Sequence, residues 1–147
     1  MEPRLDYHKA NPEAYKALLN FEIAVNKLGL EESLLELIRL RASQINGCAY
    51  CVDLHAADAR KAGETERRLY SLLVWREAPF YTPRERAALA WTEALTDLSH
   101  THAPDADYKA LLAEFSPAES VAVTMAINAI NSWNRIGVGY RKVAAAD

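Results

Sequence analysis

The sequence predicts an all-α fold, a compact bundle of about seven helices. Three observations predict it. Apolar residues recur at spacings of three and four along nearly the whole chain, the period of a helix with one buried face. Only five glycines interrupt 147 residues, and no Asn-Gly turn lies between alternating strands. Capping and stop residues divide the periodic runs into pieces of helical length.

The elements follow in order. Helix one is expected from Pro12 to about Leu28, with Ala14, Leu18, Phe21, Val25 and Leu28 as its inward stripe and Gly29 as its stop. Helix two runs from about Glu31 to Ile45. Leu34, Leu35, Ile38, Ala42 and Ile45 lie on one side, and Leu37 and Leu40 carry the apolar surface further round. Asn46 is expected to cap helix three, which holds Cys48 to Ala62 and stops at Gly63. Helix four opens at Thr65 and runs through Leu69, Leu72 and Leu73 to about Trp75. "APFYTPRE" is a turn, and Thr82-Pro83 starts helix five, which reaches about Leu98. "SHTHAPDADY" is the longest polar connector. Helix six covers about Asp105 to Phe115. Ser116-Pro117-x-Glu119 is a capping box, and helix seven continues from it toward Trp133.

The chain reads as one domain, residues 1–147, large enough to fold without disulfide staples or a structural metal. A net charge of -3 supplies no basic field for nucleic acid, and the pairs Arg39/Arg41 and Arg67/Arg68 read as solvated helix faces. The stretch "MEPRLDYHKANPEAY" has no apolar signal core, and no run approaches the ~20 apolar residues of a membrane span. The expected setting is the cytoplasm, without a membrane partner.

Chemistry concentrates in "RASQINGCAYCVDLHAADARKAG", which carries both cysteines and one of four histidines. On a helix Cys48, Cys51 and His55 fall within about 60° of one another, on one face. In a reducing compartment such a pair is more often redox-active or metal-binding than structural. A reversible disulfide fits, since one thiolate attacks and the other resolves the product. Zinc is the rival chemistry, with Cys48, Cys51 and His55 as ligands and His100 or His102 as the fourth. The bland alternative is that both cysteines are small buried hydrophobes. Haem attachment is excluded because Val52, not histidine, follows Cys51. By helical position alone Glu36 is a solvated carboxylate, and Tyr50, about 160° from the Cys48 line, is a packing residue. His8, His100 and His102 lie in polar segments, and Trp75, Trp91 and Trp133 read as core anchors.

These residues carry a resemblance. The run "ELIRLRASQINGCAYCVDLH", with Glu36, Cys48, Cys51 and His55, resembles the single-domain, alkylhydroperoxidase D-like branch of the carboxymuconolactone decarboxylase superfamily. The tail "FSPAESVAVTMAINAINSWNRIGVGYR" is similar to theirs as well, so the likeness spans residues 21–141. It implies thiol-dependent reduction of a hydroperoxide, with no cofactor and no metal. Cys51 would be the peroxidatic cysteine and Cys48 the resolving thiol and proton donor. Glu36 and His55 would form the proton relay. The enzymes of that name carry a histidine directly before the second cysteine. Tyr50 stands there in this chain, which makes it a candidate relay residue. The true decarboxylases lack the cysteine pair. Helix-dipole reasoning instead favours Cys48 as the attacking thiol; the assignment to Cys51 follows the resemblance and His55. The implied reductant is a dithiol, on a lipoylated or thioredoxin-like protein. A redox sensor that uses the same disulfide without turnover is the other reading.

The resemblance also implies homo-trimers or homo-hexamers. Leu34, Leu37, Ile38 and Leu40 surround helix two, one chain is expected to leave part of that surface uncovered, and part of helix one or two is expected to pack against a neighbour.

Overall fold

The computed structural model describes residues 1–144. Among them are nine α-helices, one 3-10 turn and no strand. Seven helices are the expected ones: α2 (Pro12–Val25), α3 (Glu32–Asn46), α4 (Ala49–Lys61), α5 (Glu66–Ser71), α6 (Pro83–Thr96), α8 (Asp105–Glu114) and α9 (Pro117–Gly139). Two single turns add to them, α1 (Tyr7–Ala10) and α7 (Leu98–Thr101). Both open on an aspartate in segments that read as polar connectors, where periodicity gives no signal. The helix-four run breaks at Ser71 and continues as a 3-10 turn, Leu72–Val74. Helix seven goes well past Trp133, to Gly139. The capping boxes at Thr82 and Ser116 form as their sequences predict. No single helix among the described residues is long and apolar enough to cross a membrane.

The central element is α3, packed on α4, α6 and α9. Two apolar clusters meet on it. Leu34, Leu35 and Ile38 face α6, α8 and α9, while Leu37 and Leu40 face Leu69, Leu72 and Trp75. The four residues expected to leave surface for a neighbouring chain, Leu34, Leu37, Ile38 and Leu40, are covered by the chain itself. Leu34, Leu35, Leu37, Ile38 and Leu40 are all buried within one copy, so apolarity all round this part of the helix reflects a central position. Its last apolar residue, Ile45, is instead exposed. The expected stripe on α2 is only partly internal. Val25 is buried and Phe21 packs against the core, but Ala14 and Leu28 are exposed.

A polar seam fixes α9 against the end of α3. Asn134 donates to the Ser43 hydroxyl at 2.9 Å, and its carbonyl accepts from the Asn46 amide at 2.9 Å. The same Asn46 amide reaches Asn131 at 2.9 Å. A buried amide costs free energy unless its partners are present. Every buried polar side-chain atom among the described residues has a partner. Asn46 therefore closes α3 and holds α9; it does not cap the next helix as expected. Gly47, at φ 66°, turns the chain out of α3.

Candidate active site

Cys48 is the N-cap of α4, and its Sγ accepts the Cys51 N–H at 3.4 Å. Cys51 lies in the first helical turn, and the two sulfurs form a disulfide. Across from them stands Gly137 of α9. A Cβ there would sit 2.8 Å from the Cys48 sulfur and 3.4 Å from that of Cys51. Glycine inside a helix costs about 1 kcal/mol relative to alanine. Here it lets α9 pass directly over the disulfide, at the height set by Asn134 one turn earlier.

Glu36 is not a solvated carboxylate, contrary to its helical position. It is 5 % exposed because α4 covers that side of α3. Its Oε2 accepts from His55 Nδ1 at 2.9 Å, and its Oε1 accepts from Arg39 at 2.5 Å. An ionised carboxylate only accepts, so Nδ1 carries a proton and Nε2 is the nitrogen left facing other partners. Burial pushes the Glu36 carboxyl up. The hydrogen bond and charge of His55, then those of Arg39, outweigh it and hold the group below the ordinary carboxylate range.

Arg39 corrects a second expectation, since it is buried and not solvated. Its guanidinium spans Glu36, Glu22 and Asn26, tying α3 to α2. Three side chains, Glu36, His55 and Asp58, stand close enough to share a cation, but Arg39 already supplies positive charge to Glu36 and Lys61 binds Asp58 at 2.8 Å. The cysteines are not in that cluster. His100 pairs with Asp97 at 2.6 Å on the surface and His102 is exposed, so neither completes the ligand set drawn from the sequence.

A cavity of about 230 Å³ opens on Cys51 and His55. Tyr7, Tyr15, Tyr50 and Trp133 supply aromatic walls, and Leu54 and Glu22 complete them. Tyr50 thus borders the site, with Lys142 Nζ 5.3 Å from its ring centre. Among the described residues its hydroxyl makes no hydrogen bond to Glu36, His55 or either cysteine. Trp75 and Trp91 are buried as expected, whereas Trp133 is half-buried and lines the cavity. Tyr7 comes from the N-terminal arm and packs on Tyr15 and Tyr140. Arg4 pins that arm to the end of α9 through the carbonyls of Tyr140 and Gly139, both at 3.0 Å. Sequence reasoning passed over Glu22, Tyr7, Tyr15 and Gly137. Only Gly137 left a local trace, a glycine inside the helical pattern "NRIGVGYR".

The arrangement joins a two-electron sulfur couple to an imidazole whose tautomer a carboxylate sets, at one end of an apolar cavity. The sequence model of the carboxymuconolactone decarboxylase family matches residues 12–94. The uncharacterised protein YdfG of Bacillus subtilis (strain 168) is 39 % identical over 146 residues, 99 % of each chain. A crystal structure from Agrobacterium tumefaciens superposes with a TM-score of 0.97 at 47 % identity, covering 99 % of this chain and all of that one. That protein is of unknown function and is described as a candidate AhpD antioxidant defence protein. The debrominase Bmp8 shares the fold at a TM-score of 0.84 and 20 % identity, over 94 % of this chain and 74 % of its own.

Proposed function

This chain belongs to the carboxymuconolactone decarboxylase family, and from that premise we propose that it is a thiol-dependent peroxidase of the alkylhydroperoxidase D type. One observation carries the reading: a Cys48–Cys51 disulfide at the end of a cavity that also holds His55, itself fixed by Glu36. In the reduced protein the Cys51 thiolate attacks the terminal oxygen of a hydroperoxide. The O–O bond breaks, Cys51 becomes a sulfenic acid, and the departing alkoxide takes a proton from Cys48 or from the His55–Glu36 pair. The Cys48 sulfur then attacks the sulfenic sulfur, releasing water and closing the disulfide. A dithiol, on a lipoylated or thioredoxin-like protein, reopens it and leaves as its own disulfide. Tyr50 borders this path, and its hydroxyl is a candidate proton donor to the alkoxide. No cofactor or metal enters the scheme.

The reading extends to setting. The protein works in the cytoplasm, where dithiol donors are kept reduced. It assembles as a trimer or hexamer. The exposed apolar residues Tyr70, Leu73 and Val74, and Leu19 and Ile23 on α2, supply surface for such contacts. Light scattering at micromolar concentration tests this, and a mass near the 16.4 kDa of one chain would remove it.

Peroxide consumption with a panel of dithiols is the decisive experiment. Sustained turnover is expected. One equivalent consumed and then arrest would make the protein a redox sensor. Metal retained after purification without chelator would favour the zinc reading.

A further inference from the structure

The disulfide is approached from two sides, and the two approaches differ in charge. The cavity on Cys51 has Glu22, paired with Arg39, in its wall and, among the described residues, no lysine or arginine. A second cavity of about 290 Å³ opens on Cys48, bordered by Arg4, Arg141 and Lys142 and, among the described residues, by no carboxylate. Gly137 lies in the wall of both. A side chain there would meet both sulfurs, so the glycine lets each sulfur keep its own opening. Arg141 and Lys142 also border an outer vestibule beside Tyr50, where Asp6 shares the wall.

We propose that Cys48 is the sulfur attacked by the reductant, and that the cavity over it is the entry site for an anionic dithiol, while uncharged peroxide reaches Cys51 from the aromatic side. This rests on the disulfide chemistry of the proposed function and assigns its second half-reaction a place. The step balances. A thiolate of the donor bonds to the Cys48 sulfur, the Cys48–Cys51 bond breaks, and its electron pair leaves on Cys51. The donor's second thiolate then attacks its own sulfur in the mixed disulfide, and the pair leaves on Cys48. The protein gains two electrons and the donor becomes a disulfide. Cys51 departs first, into the cavity that holds His55, so the peroxide-reducing thiolate is regenerated where it is used. The three cations raise the local concentration of a negatively charged donor and its thiolate.

The test uses the oxidised full-length protein and no peroxide. The probes are three monothiols: 2-mercaptoethanesulfonate (anionic), 2-mercaptoethanol (neutral) and cysteamine (cationic). Mixed disulfides are trapped with iodoacetamide and mapped by peptide mass spectrometry. The adduct is expected on Cys48, with Cys51 alkylated. In the Arg141→Gln/Lys142→Gln protein the anionic-to-neutral rate ratio should fall roughly tenfold, the order expected from a few full charges within a Debye length. If that variant does not fold, raising the salt on the wild type should lower the same ratio. An adduct on Cys51, or a ratio unmoved by both charge removal and salt, would overturn the proposal. Failure of the peroxidase reading is separately visible, as a protein that exchanges thiols at Cys48 yet consumes no peroxide.

Discussion

Glu36 and Glu93 look alike in the sequence. Each lies inside a helix, each has an arginine within reach, and each is held below the ordinary carboxylate range despite a burial that pushes it up. Their surroundings differ. Glu93 is enclosed by donors: Trp75 Nε1 at 2.8 Å, Arg41 at 2.9 Å and Arg76 at 2.8 Å. All of them come from structural elements, and none leads to a cavity with reactive atoms. Glu36 spends one oxygen on Arg39 and the other on His55, and His55 borders the cavity that ends on a sulfur. A buried, paired carboxylate is therefore not by itself a site. What distinguishes Glu36 is that one of its partners has an uncommitted nitrogen beside a redox couple.

The largest effect removes the couple. Cys51→Ser should abolish peroxide consumption, while Cys48→Ser should still undergo one oxidation, seen by mass spectrometry as a sulfenic acid or an intermolecular disulfide. A sulfenic acid accumulating on Cys48 in the Cys51→Ser protein would exchange their roles. Next comes the relay. Glu36→Gln should slow turnover by roughly 10²–10⁴-fold, the usual range for general acid–base groups. It should also cost about 1–3 kcal/mol in stability, because the buried Arg39 loses one ionic partner although it keeps Glu22 and Asn26. An unchanged rate would make Glu36 the same kind of residue as Glu93.

The converse variant, Glu93→Gln, should leave the rate nearly intact and cost about 1–3 kcal/mol, since Arg41 and Arg76 lose the carboxylate charge and one of its two acceptor oxygens. Denaturant unfolding reads that directly, and a loss of rate without a loss of stability would break the comparison from its other side. Gly137→Ala should cost a similar amount through overpacking, about 1–3 kcal/mol. The loss should fall mainly on the oxidised form, because the added methyl meets the paired sulfurs. Equal thermal shifts in oxidised and reduced protein would show that the glycine serves helix packing alone.

The smallest effect is in pH. Glu93 has its folded pKa below the ordinary 4.5, so the stability it contributes is present above that value and lost as pH falls through the folded one. The stability gap between wild type and Glu93→Gln should thus be full at neutral pH and narrow below about pH 4.5. A gap that stays constant into strong acid would mean that the charge is not its source.

Much of this protein is local, and local features were legible. The capping boxes at Thr82 and Ser116, the stop at Gly63 and the seven long helices depend on residues a few positions apart. The pairing of Cys48 with Cys51 was legible for the same reason, since their spacing lets one turn bring the sulfurs together. Glu36 was legible only through resemblance. A helical wheel records which residues share a face, but not which neighbour covers it, and α4 covers the face that the pattern of α3 leaves polar. Tyr7, Tyr15, Glu22 and Gly137 lie far along the chain from the cysteines, and each reaches the site through a different packing contact. The same holds for Arg39, whose burial depends on Glu22 and Asn26 arriving from α2. The sequence by itself determined the longer helices, several of their caps and the closeness of the two cysteines, because those follow from short-range backbone and side-chain geometry. The tertiary structure alone decided that most of the apolar surface of α3 is buried by its own chain, that one carboxylate bonds a histidine in the cavity on Cys51 while another only ties helices together, and that the disulfide has two openings that differ in charge. Those outcomes depend on distances between residues remote in sequence, which periodicity and spacing do not encode.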